Sequence, residues 1–110
     1  MAGTTTRRVG QTVRVEFTFV AEVWRYQGDA SWYFVTLPEG VSDEIADLQQ
    51  GPRRGFGAVR VRVRTGPCDW RTSIFPDTKR GSYILPVKKA VRQAAGLEDG
   101  SPAEFTLELA

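Results

Sequence analysis

Three segments of the chain alternate strictly between apolar and polar residues, and this period of two limits the fold more than any other feature. The apolar members are Val13, Val15, Phe17 and Phe19 in the first segment, Val59, Val61 and Val63 in the second, and Phe105, Leu107 and Leu109 in the third. Successive side chains of a β-strand point to opposite faces, so each segment predicts a strand with one buried face. The chain is therefore predicted to be mostly β.

Three other segments predict further strands. Residues 32–37 are an aromatic and β-branched run, and residues 82–85 form a shorter run of the same kind. Gly66 and Pro67 are turn residues, so residues 68–75 are predicted to return as the antiparallel partner of the second alternating segment. With the alternating segments, these runs predict a sheet of about six to seven strands.

Two short helices are predicted between the strands. Ser42 is a capping residue type, and the first helix is predicted to run from there to a stop at Gly51. Pro86 is favoured at the first position of the second helix. Gly96 is predicted to end this helix, with Leu97 making the apolar contact that accompanies a glycine cap.

An internal repeat refines the predicted architecture. Residues 33–63 and 83–109 share the order strand, Leu-Pro, short helix, glycine and strand, with Leu37-Pro38 matching Leu85-Pro86. Such a repeat suits a small closed β-barrel built from two interlocked halves with pseudo-two-fold symmetry. Leu-Pro is also a common way to start a helix, so the match can arise by chance. The predicted barrel with two short helices does not depend on it.

The length of 110 residues predicts one domain, which we place at residues 12–110. Residues 1–11 are small, polar and basic without any period, which predicts a flexible lead-in. The single cysteine, Cys68, cannot form an internal disulfide, and the chain has neither an apolar leader nor an apolar run near the ~20 residues of a membrane helix. A cytoplasmic location without a membrane anchor is expected.

The absence of histidine narrows the available chemistry. It removes the usual general base near neutral pH, the Ser-His and Cys-His nucleophile pairs, and the most frequent transition-metal ligand. Carboxylates alone are a poor ligand set for zinc. We therefore expect no self-contained catalysis, no catalytic residues, no cofactor and no metal site.

Two basic features admit both a binding and a structural interpretation. The glycines and arginines of residues 51–57 could cradle a phosphate, but their spacing matches no known nucleotide loop, and a tight glycine-rich entry into a strand explains them as well. Arginines on one strand face could follow an anionic chain or form cross-strand ion pairs. These arginines are Arg60, Arg62 and Arg64, and their candidate partners are Glu16, Glu104 and Glu108.

The leading candidate site combines an aromatic ring with nearby cations. An aromatic plate beside cations suits an anionic or ring-shaped ligand, although tryptophan is more often part of a core. The residues of this ligand-binding hypothesis are Arg54, Trp70, Arg71, Lys79 and Arg80. Trp24 and Trp32 are candidates to extend it.

Five motifs in order carry a family resemblance. They are WYFVTLP at residues 32–38, SDEI at 42–45, GPRRGFG at 51–57, WRTSIFP at 70–76 and LPVKKAVR at 85–92. The chain resembles a bacterial family of domains of unknown function, found alone or fused to YdeI/OmpD-associated, bacteriocin-protection-type domains. The resemblance covers residues 13–109 and implies a small β-barrel, but it brings no established activity and no catalytic residues.

A second likeness lies near the C-terminal end. Leu85-Pro86, a basic helix with Arg92, and Gly96-Leu97 and Asp99-Gly100 before a strand are similar to the repeated half of AbrB-like swapped-hairpin transcription factors, which dimerise and bind DNA. Here two such units lie in one chain, so the barrel is expected to close as a monomer.

Two functions follow as hypotheses. The first is a non-enzymatic binding or accessory module that holds a small anionic ligand or a protein segment on its basic and aromatic surface. The alternative is a nucleic-acid-binding regulator. The residues of the alternative are Arg60, Arg62, Arg64, Lys88, Lys89 and Arg92. The modest net charge of +2 does not decide between them.

Overall fold

The computed structural model describes residues 3–9, 12–28, 32–49 and 57–109, and the side chains of residues 15–28, 32–49 and 57–109. These parts of the chain contain seven strands and two helices. In chain order the elements are β1 (Gly3–Val9), β2 (Thr12–Arg25), β3 (Tyr33–Thr36), α1 (Glu39–Leu48), β4 (Val59–Thr65), β5 (Cys68–Asp77), β6 (Ser82–Pro86), α2 (Lys89–Ala95) and β7 (Pro102–Leu109). Among the residues described, neither helix is long and apolar enough to cross a membrane.

Six of the strands close into an antiparallel barrel. The hydrogen-bonded order is β2-β3-β6-β5-β4-β7, and β7 pairs again with β2 to complete the ring. The predicted fold, a small closed β-barrel with two short helices, is confirmed. The predicted alternation of buried and outward-facing residues is also confirmed in β4, where Val59, Val61 and Val63 are buried.

Strand β1 departs from the expected flexible lead-in. It pairs antiparallel with β2, from Gly3 opposite Thr18 to Val9 opposite Thr12. One edge of β2 is taken by β7, and β3 pairs with β2 only from Val23 to Arg25, so the first half of the other edge is left open. An open edge has unpaired N–H and C=O groups, which β1 satisfies. The sequence does not predict this strand, because its residues do not alternate between apolar and polar.

The two halves of the barrel are related by a pseudo-two-fold exchange. Exchanging β2 with β5, β3 with β6 and β4 with β7 reproduces every pairing of the ring. At the β3–β6 contact, Leu37 N–H donates to Tyr83 O at 3.0 Å and Val87 N–H donates to Tyr33 O at 2.9 Å. The structural equivalent of Leu37 is therefore Val87, so the Leu-Pro match from the sequence was displaced by two residues.

Buried apolar side chains from the six ring strands and from both helices form one core. Its largest fully buried members are Phe17, Phe19, Phe105, Leu37, Ile45, Ile74, Leu85 and Leu107. Phe19 and Phe105 stack across the β2–β7 pair with ring centroids 5.9 Å apart. Because these residues fill the inside of the ring, the barrel has no room for a ligand there, and a binding site has to lie on the outer surface.

Both helix starts differ from the sequence prediction. Helix α1 begins three residues before Ser42, whose buried Oγ accepts a hydrogen bond from the backbone N–H of Tyr83 at 3.0 Å and does not cap the helix. Pro86 is the last residue of β6, opposite Phe34, and α2 begins at Lys89. At the second helix, the pairing of β3 with β6 continues through Pro86, beyond the point where the local sequence favours a helix. The predicted stop of the first helix, Gly51, lies outside the described residues.

The end of α2 follows the sequence prediction. Gly96 has a φ of 68°, a left-handed conformation that glycine adopts without strain. Leu97 is buried, and its N–H donates to Arg92 O at 2.8 Å, as in a glycine-capped helix end.

Candidate anion-binding cleft

The β4–β5 hairpin places basic residues side by side on the outer surface. Its two-residue loop is Gly66 and Pro67, with a φ of 52° at Gly66. Residues directly opposite each other in an antiparallel pair point to the same face. Arg60 lies opposite Ser73 and Arg62 opposite Arg71, so these four side chains share the outer face.

Two of the three β4 arginines are engaged by carboxylates. Arg62 donates to Asp69 from Nε at 2.9 Å and from Nη2 at 2.7 Å, and this pairing lowers the pKa of Asp69 and raises that of Arg62. Arg64 Nη2 lies 2.7 Å from Glu16 Oε2, a pair that the salt-bridge interpretation predicted. That interpretation did not foresee Asp69 as the partner of Arg62.

A cleft of about 580 Å³ opens beside this hairpin. The residues that line it are Arg60, Arg71, Lys88, Thr72, Ser73, Val61 and Phe75. Val61 is buried and lies opposite Thr72 on the inner face of the hairpin, so the outer face presents Arg60, Arg71 and Ser73 to the cleft. No carboxylate is among these lining residues. None of the three cations forms an ion pair with a carboxylate in the described part of the chain, although Arg71 helps to lower the pKa of Asp69 through space. The cleft can therefore hold an anionic group.

The structure does not gather the predicted ligand-binding set into one place. Arg71 lies in the cleft, whereas Trp70 points toward the core opposite Val63. The indole Nε1 of Trp70 is buried without a hydrogen-bond partner among the described residues. Arg54 lies outside the described residues.

Arg80 and Lys79 belong to the β5–β6 turn. Arg80 Nη1 donates to Asp77 Oδ2 at 3.0 Å, and the backbone N–H of Lys79 donates to Asp77 Oδ1 at 2.9 Å. Desolvation raises the pKa of Asp77, but these hydrogen bonds and the charge of Arg80 outweigh it and lower the pKa. The guanidinium of Arg80 also lies 3.8 Å from the ring centroid of Trp24. The side chain of Arg80 is thus engaged by the turn and by β2, whereas Lys79 contributes its backbone N–H to the turn and its side chain is exposed.

An aromatic cluster covers the outer face of β2 and β3. Its members are Trp24, Tyr26, Trp32 and Phe34. Trp24 is fixed by a 2.9 Å hydrogen bond from its indole N–H to Thr36 Oγ1. Trp32 stacks on Phe34 with centroids 6.0 Å apart and is 52% exposed. Trp24 therefore belongs to a separate face, while Trp32 leaves an aromatic surface open to solvent.

Half of the residues proposed for nucleic-acid binding are already engaged. Arg62 and Arg64 are ion-paired, and Arg92 lies over the Tyr33 ring at 3.7 Å while its Nε donates to Val87 O at 3.3 Å. The other three are Arg60, Lys88 and Lys89. Two of these line the cleft.

Sequence reasoning named Arg71 but did not combine it with Ser73, Phe75 and Lys88. The register of the hairpin was available, because a two-residue loop at Gly66 and Pro67 sets Arg60 opposite Ser73. The position of Lys88 had no local signal, since it follows from how α2 approaches β5.

No group of three or more acidic or cysteine side chains is placed to hold a metal ion in the described residues. The Tyr83 phenol is buried, and desolvation raises its pKa. Tyr83 is not among the residues that line the cleft.

A six-stranded antiparallel barrel with a basic cleft on its surface defines a small β-barrel domain. The family described as Domain of unknown function (DUF1905) matches residues 19–107, and the chain belongs to this family. The predicted membership in a family of domains of unknown function is confirmed. No curated protein matches the chain. The family match includes every residue that lines the cleft.

Proposed function

We propose that this domain is a non-enzymatic binding module that holds an anionic group in the cleft formed by Arg60, Arg71 and Lys88. The observation that carries the proposal is that three cations line one cleft without an ion-pair partner among the described residues. Like charges held together raise the local positive potential and favour an incoming anion.

The remaining lining residues complete a binding surface. The hydroxyl of Ser73 can donate a hydrogen bond to an anionic oxygen, and the two guanidinium groups present forked donors. Phe75 is 44% exposed and offers an apolar contact beside the charges. This combination suits a small anionic ligand or a carboxylate-bearing protein segment.

The chemistry of the lining supports binding without catalysis. The chain has no histidine and no carboxylate is among the residues that line the cleft, so the cleft lacks the usual general bases. Hydroxyls without an adjacent base are weak nucleophiles. An anion held here would be oriented and released unchanged.

The proposal is tested by isothermal titration of the protein with inorganic pyrophosphate at low ionic strength. Arg71→Glu should weaken binding by about tenfold or more, since it removes a charge-assisted donor and adds a repulsive charge. Lys79→Glu is the matched control, because Lys79 is an exposed cation outside the cleft. If pyrophosphate fails to bind, or if both variants weaken it equally, the proposal is wrong.

The nucleic-acid alternative has less support, because Arg62, Arg64 and Arg92 have intramolecular partners. Backbone binding by several free cations would give a steep, log-linear loss of affinity with salt. A salt titration with short oligonucleotides separates this alternative from a pocket for a small anion.

A further inference from the structure

Two further hollows are linked to the cleft in series through shared lining residues. Lys88 lines both the cleft and a second hollow of about 310 Å³, which also contains Trp32, Tyr33, Pro86, Val87 and Lys89. Lys89 in turn lines a third hollow of about 360 Å³, together with Arg92, Gln93, Gly96, Leu97 and Glu98. We call the three together the basic groove. It runs from the β4–β5 hairpin, past the start of α2, to the end of that helix.

The charges along the basic groove have almost one sign. Five cations line it, and they are Arg60, Arg71, Lys88, Lys89 and Arg92. The carboxylate in its described lining is Glu98, which lies in the third hollow, at the end away from the cleft. A partner that follows the whole groove must therefore carry several negative charges along its length.

Apolar surface lies between these charges. In the second hollow, Trp32 is 52% exposed beside Pro86, and the cleft contains the exposed ring of Phe75. One face of the Trp32 ring rests on Phe34 at an interplanar angle of 12°, so the ring is held in place before any partner arrives. An immobilised aromatic ring loses little entropy on binding and is a good anchor for an apolar side chain.

We infer that the basic groove binds an extended acidic protein segment, whose carboxylates lie along Arg60, Arg71, Lys88 and Lys89 and whose apolar side chain packs on Trp32 and Pro86. This inference rests on the proposed function, because the cleft is one end of the groove. A single-stranded nucleic acid is the competing occupant. It requires a succession of aromatic platforms for its bases, whereas Phe34 already covers one face of Trp32 and Phe75 is the other exposed ring in the described lining.

The dimensions of the molecule give a scale for the length of the segment. The molecule measures 40 × 30 × 23 Å along its principal axes. An extended chain advances about 3.3 Å per residue, so a segment of about eight residues spans roughly 26 Å. This length exceeds the shortest dimension of the molecule, 23 Å.

The test uses two probes on the full chain. The first is inorganic pyrophosphate, which is small enough to report on the cleft alone. The second is a fluorescently labelled synthetic peptide of about eight residues, in which glutamates flank a central pair of leucines. Affinities are measured by titration calorimetry and by fluorescence anisotropy, and a twelve-nucleotide oligothymidylate is measured beside the peptide.

The variants Lys89→Glu and Trp32→Ala change the second hollow without changing a cleft residue. Each should weaken peptide binding by about fivefold or more and change pyrophosphate binding by no more than about twofold. Arg71→Glu should weaken both probes, and Lys79→Glu should weaken neither. Trp32 is half exposed and Lys89 is exposed, so both variants are expected to fold, which circular dichroism checks.

Three outcomes overturn the inference. If the peptide depends on Arg71 but not on Lys89 or Trp32, it occupies the cleft alone and the groove is rejected while the proposed function stands. If oligothymidylate binds more tightly than the peptide and shows the same dependence on the variants, the occupant is a nucleic acid. If neither pyrophosphate nor the peptide binds, the proposed function fails together with the inference.

Discussion

Arg62 donates two parallel hydrogen bonds to Asp69, of 2.9 and 2.7 Å, although the residue directly opposite Arg62 across the hairpin is Arg71. The diagonal pairing separates the charges of the β4–β5 surface into two groups. Arg62 is neutralised beside Asp69, whereas Arg71 remains in the cleft with Arg60 and Lys88. The ion pair thus keeps a carboxylate close to the cleft while leaving the cleft cations free to bind.

The first prediction concerns the strength of anion binding. Asp69→Asn removes the carboxylate that attracts Arg62 and partly offsets the field of Arg71. The positive potential at the cleft should rise, and pyrophosphate should bind about twofold more tightly at low salt, an advantage that screening removes as ionic strength rises. Calorimetric titration at two salt concentrations measures both effects. An unchanged or weaker affinity in the variant would show that Asp69 does not limit the cleft potential.

The second prediction concerns acid stability. The hydrogen bond and charge of Arg62 lower the pKa of Asp69 from its ordinary value of 3.8. A lowered carboxyl pKa gives stability that is fully present above the unfolded pKa and is lost as the pH falls through the folded pKa. The stability difference between the wild type and Asp69→Asn should therefore shrink as the pH drops below 3.8. Denaturant unfolding across this range tests it, and a difference that grows toward low pH would contradict the assignment.

The third prediction concerns the contact between α1 and β6. Ser42 Oγ is buried and accepts the backbone N–H of Tyr83, which is itself only 4% exposed. Ser42→Ala leaves that N–H without its partner, so the free energy of unfolding should fall by about 1–3 kcal/mol. Thr78→Ala is the control, because Thr78 is exposed in the β5–β6 turn. If urea unfolding shows that both substitutions lower the free energy of unfolding equally, this hydrogen bond does not stabilise the fold as its burial indicates.

The sequence predicted the parts of this molecule that depend on local pattern. The valines of β4 and the Gly66-Pro67 turn define a hairpin register from which the pairing of Arg60 with Ser73 follows. The predictions that were wrong concern features that depend on contacts between distant elements. Pro86 reads locally as a helix start but is held in β6 by pairing with Phe34.

The candidate site shows the same division. Arg71 could be placed on an outer strand face from alternation alone. Lys88 reaches the cleft because the second helix begins beside β5, a relationship that no local spacing encodes. The chemistry of Trp70 suits a ligand platform, but the residue lies opposite Val63 and packs against the core. Only the strand register reveals which way that ring points.

The fourth prediction compares two glycines with opposite roles. Gly96 ends α2 at a φ of 68°, and a side chain there is strained even though an added Cβ would meet nothing within 4 Å. Gly96→Ala should therefore destabilise the protein by about 1 kcal/mol. Gly40 lies in the first turn of α1, has no positive φ, and also has open space where an added Cβ would lie. Gly40→Ala should be neutral or should stabilise by up to about 0.5–1 kcal/mol, because alanine loses less backbone entropy than glycine in a helix. Thermal and urea unfolding of the two variants measure the contrast. If Gly96→Ala is as well tolerated as Gly40→Ala, the left-handed end of α2 does not contribute to stability as its backbone conformation indicates.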